Sequence, residues 1–84
     1  MISLTRYLAA YWEGQNIRVN CISPGGVLHP GENEDFVRRY SQHVPLGRKA
    51  NIQEIPGAVV FLASDAASYI NGQNVVIDGG WTAW

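Results

Sequence analysis

The run Asn74-Val75-Val76-Ile77 sets three β-branched apolar residues side by side, and few folds can accommodate it. A strand with one wet face alternates apolar and polar residues, whereas a strand of a parallel sheet is covered on both faces and reads as continuously apolar. This run is therefore expected to be a fully buried strand, closed by Asp78-Gly79-Gly80. A second strand is expected over residues 17–22, where Ile17, Val19 and Cys21 alternate with Arg18 and Asn20. Ser23-Pro24-Gly25-Gly26 should end it sharply, because proline donates nothing to a ladder. Ahead of it, Leu4, Tyr7, Leu8, Tyr11 and Trp12 share one helical face, with Gly14 as a left-handed stop. Residues 27–51 are irregular and hold one polar helical segment over 32–42, using Phe36, Val37 and Tyr40. Asn51 and Glu54 have capping-box spacing, opening a helix whose buried face is Ile55, Ala58, Val59 and Leu62 and whose end lies near Ser64. Pro56 would fall at its fifth position, so either the first turn is irregular or the regular helix starts later.

Helix, strand, loop with helix, helix and strand is an α/β order, and right-handed crossovers would set the two strands parallel in one sheet. Two strands leave two open edges. A domain of 84 residues buries only about 60% of its unfolded surface, so the expectation is the end of a larger doubly wound sheet.

Composition excludes several classes. Six basic and seven acidic side chains, net charge -1, are scattered without a basic stripe, which argues against a nucleic-acid partner. No apolar run approaches the roughly 20 residues needed to span a bilayer, and the N-terminal residues lack a signal peptide's pattern. There is no Asn-x-Ser/Thr acceptor. Cys21 stands alone, so a reducing, cytoplasmic setting is expected. Cys21, His29 and His43 do not have zinc spacing, and no metal site is expected. Cys21 reads as a small core residue, and the two histidines as exposed loop residues. Ser23, His43 and Asp65 make a nucleophilic triad on paper only, since Gly-x-Ser-x-Gly is missing.

Three segments carry a family likeness: Ile17-Arg18-Val19-Asn20-Cys21-Ile22-Ser23-Pro24-Gly25, then Pro45-Leu46-Gly47-Arg48, then Phe61-Leu62-Ala63-Ser64-Asp65 running on to Gly72-Gln73 and Asp78-Gly79-Gly80. Their order and spacing resemble the C-terminal part of a short-chain dehydrogenase/reductase (SDR). The resemblance implies that residues 1–84 are the C-terminal part of one NAD(P)-binding Rossmann-like domain, a doubly wound parallel sheet of which two strands and two to three helices are present. Residues 28–50 would be its substrate-loop region. The family's catalytic tyrosine and lysine form Tyr-x-x-x-Lys. Here Tyr7, Tyr11, Tyr40 and Tyr69 are followed four residues later by Tyr11, Gln15, Val44 and Gln73. The first helix would continue the one that carries the pair, with the lysine a few residues before Met1. Gly25-Gly26 also lacks a third spaced glycine and a following helix, unlike a pyrophosphate loop. No catalytic residue is therefore assigned.

The resemblance assigns cofactor-binding positions instead. Pro24, Gly25 and Gly26 match the turn along the nicotinamide. Val27 matches the residue whose main chain bonds the carboxamide. His29 stands where many relatives have a cofactor-touching threonine. The implied cofactor is NAD or NADP, and the implied substrate a sugar, polyol or 3-oxoacyl carbonyl compound, both met only within a complete domain. Arg48 and Asp78 should brace loops by charge-assisted hydrogen bonds. Tyr7, Tyr11, Trp12, Trp81 and Trp84 suggest contact surfaces, as in SDR oligomers. The leading expectation is thus a segment of an NAD(P)-dependent oxidoreductase, inactive alone. The alternatives are a non-catalytic association module docking on itself or an intact SDR subunit, or a truncated gene product.

Overall fold

A computed structural model describes residues 1–84. Its helices are α1 (Ile2–Tyr11), α2 (Glu34–Ser41) and α3 (Pro56–Ala63), and its strands are β1 (Cys21–Pro24) and β2 (Asn74–Ile77). The strands form one parallel pair, with Cys21 opposite Asn74 and Pro24 opposite Ile77. Short 3-10 turns cover Ile52–Glu54, Asp65–Ala67 and Trp81–Ala83.

The second strand is as expected, and the first is displaced. Residues 17–20 lie outside the ladder: the Val19 carbonyl accepts from Gly72 N–H, but asparagine side chains stand in for the main chain at the neighbouring positions. Val19 N–H donates to Asn71 Oδ1 at 2.9 Å, and Asn20 Oδ1 accepts from Gln73 N–H at 3.0 Å. The strand ends within Ser23-Pro24-Gly25-Gly26 as expected, with Pro24 as its last residue. The bond at that register runs from Gly25 N–H to Ile77 O at 2.8 Å, so proline's missing donor is not needed.

Pro56 resolves as the later start. Ile52–Glu54 is a separate 3-10 turn, and Pro56 opens α3 at a first-turn position where its nitrogen has no helical partner. The predicted segment over 32–42 narrows to α2. There Asn33 Oδ1 caps the helix by accepting from the Asp35 and Phe36 amides.

The expectation of a fully buried last strand does not hold. Val76 is 46% exposed and the rest of β2 is half-buried, because no second layer closes over the sheet. A cleft of about 270 Å³, lined by Ile22, Val59 and Leu62 among others, parts α3 from β1. Only Thr5, Val44, Lys49 and Ala67 are buried. The accessible surface is 6307 Å², against about 5,000 Å² for a folded monomer of this mass. The chain is also drawn out to 50 × 22 × 20 Å.

Candidate functional site

The five expected cofactor-binding residues lie in one stretch, and the structure gives each a distinct environment. β1 and β2 end side by side, which brings Gly25 onto Asp78. A Cβ on Gly25 would stand 2.8 Å from Asp78 Cβ and 2.9 Å from Asp78 Cα. A Cβ on Gly26 would stand 2.5 Å from the Tyr40 hydroxyl oxygen and nearer still to its Cζ. Both glycines are thus required by the chain's own packing. Pro24 and Gly25 are exposed, and Gly26 and Val27 are half-buried.

Val27 forms an isolated parallel bridge with Ala50. Ala50 N–H donates to Gly26 O at 2.9 Å, and Leu28 N–H donates to Ala50 O at 2.7 Å. In a parallel bridge the bonds flank the central residue, whose own groups face the other side. Val27 N–H and C=O accordingly take part in no hydrogen bond within the chain. They form a donor–acceptor pair one residue wide, which matches a primary carboxamide.

His29 is exposed, and its main chain holds the next turn. Its N–H donates to Glu32 Oε1 at 2.7 Å, and its carbonyl accepts from Glu32 N–H. It lines an open cleft of about 500 Å³ with Leu28, Pro30, Val37, Arg38 and Ile52 among others. Pro24, Gly25, Gly26 and Val27 do not line that cleft. The second histidine, His43, is exposed and meets Trp81 edge-on.

Two braces frame the site, as expected. Arg48 makes a two-pronged pair with Glu54, at 2.7 and 3.0 Å. Glu54 Oε1 also accepts from Asn51 N–H at 2.8 Å. The Arg48 hydrogen bonds, then the Asn51 amide, lower the Glu54 carboxyl to about 2. Asp78 accepts from Gly80 N–H and from Thr82 N–H and Oγ1. Partial burial pushes its carboxyl up, but these bonds outweigh it and the net shift is downward.

Glu32 and Lys49 form a group that residue spacing did not reveal. The Lys49 side chain is 6% exposed, its Nζ is paired with Glu32 Oε2, and it lies 5.1 and 5.0 Å from the ring centroids of Phe36 and Tyr40. The hydrogen bond from Lys49, then the one from the His29 amide, hold the Glu32 carboxyl below its usual range. The only hint in the sequence is that Phe36 and Tyr40 are four residues apart on a polar helix, in a chain with a single lysine. The Lys49–Tyr40 approach is to the ring face, with the ammonium already paired, so it is a cation–π contact and not an acid–base pair.

Cys21 Sγ and Ser23 Oγ both donate to Asn74 Oδ1, at 3.4 and 2.6 Å. Cys21 is therefore a half-buried ladder residue. No three His, Cys, Asp or Glu side chains come together as a metal-ligand set, and no helix is long and apolar enough to cross a membrane.

A family model described as enoyl-(acyl carrier protein) reductase matches residues 1–82. Galactitol 2-dehydrogenase (L-tagatose-forming) of Cereibacter sphaeroides is 42% identical, over 96% of this chain and 34% of that protein. D-threitol dehydrogenase of Mycolicibacterium smegmatis is 44% identical, over 98% of this chain and 33% of that protein. A short chain dehydrogenase of Leptospira borgpetersenii, solved with bound NAD+, superposes with a TM-score of 0.90 at 47% identity, over 96% of this chain and 32% of that one. The chain spans about a third of the length of the curated relatives it matches. With the parallel β1–β2 pair and the Pro-Gly turn in place, these matches show that the chain belongs to the short-chain dehydrogenase/reductase family.

Proposed function

We propose that these 84 residues supply the nicotinamide-facing backbone and the substrate loop of an NAD(P)-dependent oxidoreductase that acts on a polyol or its ketose. The observation that carries this reading is the free N–H and C=O of Val27, bracketed by the two bonds to Ala50. They would hold the carboxamide, while Pro24, Gly25 and Gly26 let the ring approach closely. When bound, the nicotinamide supplies the redox chemistry. This chain's part is to orient it, and residues 28–50, with His29 at the near end, would cover the substrate. Polyols are favoured as substrates by the kinship with galactitol and threitol dehydrogenases. The unpaired Cys21 agrees with a cytoplasmic setting.

Two measurements test the reading. Millimolar NADH or NADPH should move the amide resonances of Gly26 and Val27 in the labelled chain, and unmoved resonances overturn the cofactor role. The chain alone should oxidise no polyol, whereas a fusion in which it replaces the matching third of the galactitol enzyme should do so. Turnover by the chain alone would show that Tyr-x-x-x-Lys is not needed. A fusion that binds cofactor but leaves polyols untouched overturns the substrate class.

The excess surface favours a second reading, a non-catalytic module that docks on a copy of itself. Light scattering on the eluting chain should then show dimers or larger species. A stable monomer rejects it.

A further inference from the structure

We propose that Lys49 is a positioning residue, a latch that closes residues 28–49 onto the Val27–Ala50 bridge and keeps the Val27 main-chain groups turned outward. The inference rests on the cofactor-facing role proposed above for Val27.

A buried ammonium persists only where its charge is compensated. Lys49 is compensated by three groups, none of them adjacent to it in sequence: the Glu32 carboxylate and the faces of Phe36 and Tyr40. Phe36 and Tyr40 stand at i and i+4 on α2, so one helical face presents both rings, 6.1 Å apart. Each group leads on to another part of the loop. The second oxygen of Glu32 accepts from His29 N–H, which anchors the chain just after the bridge. The Tyr40 ring packs against Gly26, just before Val27, and stacks on Trp81 at 4.7 Å. Lys49 itself immediately precedes Ala50, whose N–H and C=O make the two bonds that bracket Val27. One ammonium therefore joins the start of the loop, its helix and its end. A neutral side chain of the same length would fill the volume but leave the Glu32 carboxylate without its cation.

Amide hydrogen exchange on the full chain tests this, with Leu28 and Ala50 as reporters and the β1–β2 amides of Cys21 and Gly25 as internal reference. Leu28 and Ala50 should be protected in the unsubstituted chain. Lys49→Met should lower their protection about tenfold or more, with Cys21 and Gly25 changing less than about threefold. Glu32→Gln should act in the same direction, and Lys49→Arg should restore protection, because a guanidinium keeps both the charge and the ring stacking. The latch is overturned if Leu28 and Ala50 are unprotected from the outset, if Lys49→Met leaves them unchanged, or if the reference amides fall equally. NADH titration of the same samples separates the two readings. A Val27 amide that ignores NADH removes the cofactor role, whereas the exchange result stands or falls without any cofactor present.

Discussion

Gly25 and Gly26 owe their identity to neighbours within the chain. A methyl on Gly25 would press on Asp78 Cα and Cβ, a backbone carbon and the first side-chain carbon, neither of which can swing aside. Gly25→Ala should destabilise the folded chain by about 1–3 kcal/mol, read as a lower urea midpoint; an unchanged midpoint would mean that the strand ends separate freely. The Glu54 carboxyl carries a pH prediction. It lies near 2 when folded, against an ordinary 4.5, so its pairing with Arg48 stabilises the fold above about 4.5 and is lost as the pH falls toward 2. Glu54→Gln should flatten the stability profile across that window, and an unaltered profile would reassign the acid sensitivity to other carboxylates. The roles of Arg48 and Asp78 were legible because both sit in the segments that carry the family resemblance, which implies a bracing role for each. The role of Lys49 was not, since its partners lie up to 17 positions away, and only folding brings them together.

Helices and the last strand could be read at the level of elements because their signals are local. Apolar periodicity marked α1 and α3, and a β-branched run marked β2, whereas the capping-box spacing of Asn51 and Glu54, read as the start of α3, belongs to a separate 3-10 turn. The start of β1 was misplaced because Ile70, Asn71 and Gln73 supply polar partners to Val19 and Asn20 from 50 or so positions away, and alternation alone carries no trace of that. Arg18 shows the same long reach. Its guanidinium donates to Leu62 O at 2.8 Å, to Ser64 O at 3.3 Å and to Ile70 O at 3.2 Å, closing the carbonyl end of α3. Arg18→Met should cost about 1.5–3 kcal/mol and fray α3, seen as reduced helical circular dichroism before global unfolding. A change below about 0.5 kcal/mol would show that water replaces the guanidinium there.

For the molecule as a whole, the deciding quantity is surface. The radius of gyration is 15.6 Å, where a folded domain of this length has about 12 Å. Tyr7 and Tyr11 on α1 are each 64% exposed. The chain alone should therefore bind a hydrophobic dye such as ANS or associate as its concentration rises. A monomer that does neither would mean that the faces of α1 and β2 close in solution. The sequence by itself determined the main element types, their order, the parallel sense implied by that order with right-handed crossovers, and the family, because each is written in neighbouring residues or in their spacing. Only the tertiary structure decided that the glycines of the Pro-Gly turn serve Asp78 and Tyr40, that Val27 keeps both main-chain groups free, and that Lys49 holds the loop. These depend on atoms brought within a few ångströms by chain segments far apart in sequence, and no local pattern encodes such distances.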